Sequence, residues 1–96
     1  MNNKFDIGDF VNVTTTNNVI SSLVQRVKQR RKELKISQKA LSKRVDVSYG
    51  SIRRFESIGE ISLSSLIKIA VALNCVEDFN YLFKNRQITN LKDFKL

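Results

Sequence analysis

Between residues 19 and 83 the apolar positions recur every three or four residues, the period of helices buried on one side. In the first block Ile20, Leu23, Val24, Val27 and Leu34 form one stripe, which predicts a helix from about Val19 to Leu34. Lys28, Arg30 and Lys32 point away from it. Arg31 falls on the stripe itself, four after Val27 and three before Leu34. An arginine there needs a partner or an exit to solvent. A second helix, about Gln38 to Val45, follows Ser37, whose hydroxyl suits an N-cap. Leu41 and Val45 face inward, Lys39, Lys43 and Arg44 outward. Ser42 is small enough for another helix to cross nearby. Asp46 is a turn residue that tolerates left-handed backbone, and Val47 is a buried anchor. Ser48 caps a third helix that runs to about Ser57. Ile52 and Phe55 point inward, and Glu56, four after Ile52, shares their side. Tyr49, Gly50, Ser51, Arg53 and Arg54 lie outside.

Residues 58–61 form a loop. Ser62 caps the fourth and most apolar helix, about Leu63 to Leu73, and Asn74 suits a left-handed stop. A short fifth helix, about Val76 to Phe83, closes the core with Phe79, Leu82 and Phe83. The pattern is thus all-α, with an N-terminal arm (1–18), a helical domain (19–83) and a C-terminal tail (84–96). In the arm, Phe5, Ile7, Phe10, Val11 and Val13 suit either a bulged strand or a segment lying on another surface. In the tail, the spacing of Ile88, Leu91, Phe94 and Leu96 selects neither helix nor strand.

Ninety-six residues, 42% of them hydrophobic, supply one compact core and no second one. No apolar run approaches the ~20 residues of a membrane span, and the N-terminus does not read as a signal peptide. A cytoplasmic protein is expected. The single cysteine, Cys75, sits in the apolar run LNCV and reads as a core thiol. Net charge is +8, and it is uneven. Residues 21–60 carry eleven Lys/Arg against four acids, which points to a polyanionic partner on that side. The chain has no histidine, no Gly-rich phosphate loop, scattered acids and no metal-ligand cluster. Nothing suggests an enzyme, a cofactor or a metal. Most phenylalanines fall at core-like positions, leaving no surface for stacking RNA bases.

A DNA major groove is about 12 Å wide and admits one helix, which a second must brace across the backbone. The second and third helices supply that pair. Leu41, Val45, Val47, Ile52 and Phe55 anchor it, Ser42 sits at the crossing, and the turn is short.

The segment from Arg26 to about Phe79 resembles the Cro/C1-type repressors, the XRE class of helix-turn-helix proteins. The resemblance lies in R-V-K-x-x-R (26–31), I-S-Q (36–38), V-S-x-x-S-I-x-x-F-E (47–56) and S-L-x-x-L-x-K-I-A-x-A-L (62–73). It implies a five-helix lambda-repressor-like bundle, acting as a homodimer on a palindromic double-stranded DNA operator and regulating transcription, most often by repression. It also implies residue roles. Gln38 and Ser48 would touch phosphates. Tyr49, Gly50 and Arg54 match base-facing positions, with Ser51 and Arg53 near bases or backbone, and the exposed Lys39 and Lys43 would add phosphate contacts. Arg31 matches an arginine that pairs with the glutamate at Glu56 and braces the first helix against the third. Lys35 and Asp46 depart from the pattern, standing where glycine is usual. Ser42 replaces a common alanine, and Glu56 and Gly59 lie one residue further apart than usual. The run F-E-x-x-G-x-I-S-L-x-x-L, followed by Leu82-Phe83, is similar to a subgroup of antitoxins that neutralise kinase-type toxins and repress their own operon. A toxin protein is therefore the alternative partner.

Overall fold

A computed structural model describes residues 15–86, and the regular structure of these residues is entirely helical. The order is α1 (Thr16–Glu33), α2 (Gln38–Val45), α3 (Tyr49–Ile58), α4 (Leu63–Ala72) and a 3-10 segment, η1 (Val76–Tyr81). The expectations for residues 1–14 and 87–96 lie outside the described residues. No described helix is long and apolar enough to cross a membrane.

Each of the four α-helices starts on a hydroxyl. Thr15, Ser37, Ser48 and Ser62 accept the backbone N–H of Asn18, Ala40, Ser51 and Ser65 respectively, at 3.0–3.1 Å. Such a cap satisfies a first-turn donor and typically contributes about 1 kcal/mol. Each helix is followed by left-handed backbone: Lys35 (φ 57°), Asp46 (φ 55°), Gly59 (φ 80°) and Asn74 (φ 62°). After α1 the N–H of Ile36 reaches Arg31 O and that of Lys35 reaches Lys32 O. After α4, Cys75 and Asn74 bond to Ala70 and Val71 in the same way. This paired pattern satisfies the last carbonyls and reverses the chain sharply.

Short helices such as α2 are marginal alone and hold their shape through packing. Here Leu41, Ile52 and Leu73 are fully buried together with Ile36, Val45, Val47 and Ile69. A second group, Val24, Phe55 and Leu66, packs α1 against α3 and α4. Val27 and Ile61 touch both groups and join them. Glycine is favoured at position 59 on two counts. Gly59 combines positive φ with a position where an added Cβ would lie 2.2 Å from Ile20 Cγ2.

Three details depart from the apolar pattern. The first helix begins at Thr16, three residues before Val19, so residues 16–18 belong to the helix and not to the arm. Its first turn is fixed by the Thr15 cap, and a capped polar turn leaves no hydrophobic signal. Two residues of the first stripe are exposed, Ile20 at 37% and Leu34 at 39%; Leu34 is the C-cap residue, where the chain turns away. The fifth helix is a 3-10 turn ending at Tyr81. Its i→i+3 bonds, Asp78 N to Cys75 O and Leu82 N to Phe79 O, wind the chain too tightly for an α-helical stripe. Phe79 packs on the core, but Leu82 is 58% exposed and Phe83 wholly so. The closing role expected of those two residues is not observed.

Candidate nucleic-acid interface

The geometry of α2 and α3 follows from what lies beneath them. Leu41 and Val45 of α2, Val47 in the turn, and Ile52 and Phe55 of α3 are buried. The opposite faces must therefore be exposed. On α3 this outer surface consists of two i,i+4 ridges, Tyr49–Arg53 and Gly50–Arg54, all four exposed. On α2 it carries Lys39, Lys43 and Arg44, also exposed. Ser42 is half-buried, and its hydroxyl donates to Lys39 O at 2.7 Å within its own helix.

The Tyr49 ring links the two helices on this surface. Lys39 Nζ lies 5.6 Å and Arg53 Cζ 5.5 Å from its centroid, within cation–π range. Two charges are thus gathered around one aromatic ring at the start of α3. The helix dipole adds partial positive charge at the same place. Ser48 Oγ accepts Ser51 N–H at 3.0 Å and donates to Ser51 Oγ at 2.8 Å. The Tyr49 and Gly50 amides, also in the first turn, have no intrahelical acceptor. Gly50 is not demanded by the fold. A Cβ there would meet only Ser48 Oγ, at 4.0 Å.

Behind this face lies a buried ionic network. Arg31 Nε donates to Glu56 Oε2 at 2.8 Å and Nη2 to Oε1 at 2.9 Å. Arg31 Nη1 donates to Ile36 O at 2.8 Å, which ties the α1–α2 connection to the same guanidinium. Gln38 Nε2 donates to Glu56 Oε1 at 2.8 Å. Burial by itself would raise the Glu56 carboxyl. The hydrogen bonds from Arg31 and Gln38, together with the Arg31 charge, outweigh it and hold the pKa below the ordinary glutamate value. One carboxylate therefore joins α1, α2 and α3. Gln38, expected to offer its amide to phosphate, spends one amide hydrogen on Glu56. Its backbone N–H, in the first turn of α2, has no intrahelical acceptor.

Two features of this surface did not stand out in the sequence. One is the inward turn of Gln38, for which the spacing of eighteen residues to Glu56 gives no signal. The other is Glu60, whose Oε1 takes a hydrogen bond from Arg54 Nη2, both side chains being 63% exposed. Neither helix contains Glu60, so helical periodicity does not reach it. Cys75 is half-buried beside the core, and burial raises its thiol pKa. That makes it a poor nucleophile.

A family model described as "Helix-turn-helix" matches residues 27–78, a little over half of the chain. The protein belongs to this family, the XRE class of helix-turn-helix proteins. The family is a DNA-binding one, and the chain is a regulator of that general kind. No curated protein and no solved structure matches the chain.

Proposed function

We propose that the protein is a dimeric, sequence-specific repressor that lays α3 in the major groove of a palindromic operator. The observation that carries this reading is the division of α3. Ile52, Phe55 and Glu56 are buried, while Tyr49, Gly50, Arg53 and Arg54 are exposed on a helix braced by α2. Arg54 suits the O6/N7 edge of guanine, a contact that typically discriminates by roughly 1–3 kcal/mol. Tyr49 reaches a thymine methyl or a phosphate. Gly50 admits close approach of the DNA backbone, with Ser51 beside it. Lys39, Lys43 and Arg53, together with the amides near Gln38 and Ser48, hold phosphates and set the register. Residues 16–83 form the DNA-binding unit, flanked by arm and tail, and the protein acts in the cytoplasm.

The second reading is an antitoxin that neutralises a kinase-type toxin and represses its own operon. One observation favours an additional protein contact. An apolar groove of about 380 Å³ runs between α1, α4 and η1, bordered by Leu23, Val27, Leu66 and Phe79. Leu82, on its rim, is 58% exposed.

Selection of bound sequences from a random duplex pool tests the main reading. The expected product is a palindrome with half-sites about one helical turn, ~34 Å, apart. Recovery of duplexes without a shared motif would refute sequence-specific binding. A motif without two-fold symmetry would refute the dimer on a palindrome. Co-purification with a kinase-like protein encoded beside it would favour the second reading.

A further inference from the structure

The geometry points to Glu60 as the residue that turns Arg54 from a phosphate binder into a base reader. The inference rests on the proposed placement of α3 in the major groove, and deepens it. Arg54 stands on the outer ridge of α3, and its Nη2 donates to Glu60 Oε1. Glu60 is pinned on both sides by the chain. Before it, left-handed Gly59 closes α3 with a 2.8 Å bond to Phe55 O and packs against Ile20. After it, Ile61 packs on both core groups and Ser62 caps α4. The carboxylate is therefore carried by a fixed piece of backbone, one residue beyond the left-handed glycine that closes α3.

Such a carboxylate has two effects on a neighbouring arginine. First, it takes one of five N–H donors and limits the rotamers of a long side chain, leaving a two-donor fork for another acceptor. Second, its negative charge repels phosphate oxygens, so the DNA backbone competes poorly for that fork. The O6 and N7 acceptors of guanine carry only partial negative charge and are repelled far less. Glu60 would thus weaken the general attraction of the basic face for any duplex while preserving the one contact that depends on sequence. On a surface with the charge excess of residues 21–60, this is a means of gaining discrimination without adding contacts.

The test uses the full chain with Glu60→Ala, Glu60→Gln and Arg54→Ala, each put through random-duplex selection and salt titration on a scrambled duplex. Arg54→Ala should erase preference at one base pair of each half-site. Glu60→Ala should lower preference at that same base pair roughly 3- to 5-fold, the scale of an exposed ion pair. It should also tighten binding to the scrambled duplex and steepen its salt slope by about one unit as Arg54 joins the phosphate contacts. Glu60→Gln keeps an acceptor without the charge, and should fall between the parent and Glu60→Ala in base preference. Glu60 is exposed, so melting temperatures should match. If Glu60→Ala tightened binding on all duplexes while leaving the motif unchanged, it would be a mere background charge and the inference would fail with the groove reading intact. A parent chain that selects no motif would overturn both.

Discussion

Arg31 and Glu56 meet through two parallel hydrogen bonds, Nε to Oε2 at 2.8 Å and Nη2 to Oε1 at 2.9 Å, with both side chains buried. This two-pronged geometry is the strong form of a charged pair. Its value lies in what happens when it is broken. Arg31→Met strands the Glu56 charge, and Glu56→Ala strands the Arg31 charge. Each single change should cost ~3–5 kcal/mol in urea unfolding, whereas the double change should cost much less than their sum. Additive losses would show that the two charges are not energetically coupled.

Acid should act on the same carboxylate. The folded Glu56 binds its proton more weakly than the unfolded one, because Arg31 and Gln38 hold the ionised form. As pH falls, the unfolded chain therefore takes up the proton first. The stability Glu56 contributes is complete above the free-glutamate pKa of roughly 4.3. It is lost as pH drops from there through the lower folded value. Unfolding free energy measured from pH 7 to pH 2 should show this acid limb. In Glu56→Gln the limb should be shallower, on a lower plateau.

Lys35 occupies left-handed backbone at φ 57° just beyond α1. A residue with a Cβ pays roughly 1–2 kcal/mol there. Glycine avoids that cost but adds about 0.4–1 kcal/mol of unfolded-chain entropy. Lys35→Gly should therefore stabilise the fold by about 0.5–1 kcal/mol, seen as a raised thermal midpoint. Asp46, at φ 55°, should gain less, since aspartate tolerates this conformation better. A lower midpoint for Lys35→Gly would mean that the lysine side chain supplies a compensating contact.

How much of this was legible beforehand depends on the physics behind each element. Leu41, Val45, Val47, Ile52 and Phe55 were readable because burial on one helical side imposes a period, and all five are buried. Arg31 and Glu56 were readable as charges out of place on those same stripes. Asp46 and Asn74 were readable because few residues accept left-handed backbone, and both adopt it. The exact start of α1 at Thr16 was not readable, since each residue of the run Thr14-Thr15-Thr16-Asn17-Asn18 suits an N-cap and no apolar residue singles one out. The shape of η1 was not either. Phe79, Leu82 and Phe83 carry the composition of a core helix, but the 3-10 segment ends at Tyr81, and of the three only Phe79 packs on the core. On the outer face the exposed residue types could be listed from the sequence. The pairing of Gln38 with Glu56 and of Arg54 with Glu60 needed the third dimension, because partners eighteen and six residues apart follow no helical period.

Gly50 separates folding from function more cleanly than any other position on the outer face. It lies within α3, where glycine costs roughly 0.5–1 kcal/mol relative to alanine. An added Cβ would find only Ser48 Oγ at 4.0 Å. Gly50→Ala should therefore stabilise the free protein by about that amount in urea unfolding. If the first turn of α3 meets the DNA backbone closely, the same methyl should weaken binding to the selected duplex. Lys43→Ala provides the comparison. It should weaken binding on every sequence and flatten the salt slope by roughly one unit. Gly50→Ala should leave that slope nearly unchanged, because it removes no charge. A variant that is both more stable and fully able to bind would show that the first turn of α3 stands clear of the duplex. The reading surface would then have to be sought nearer Arg54.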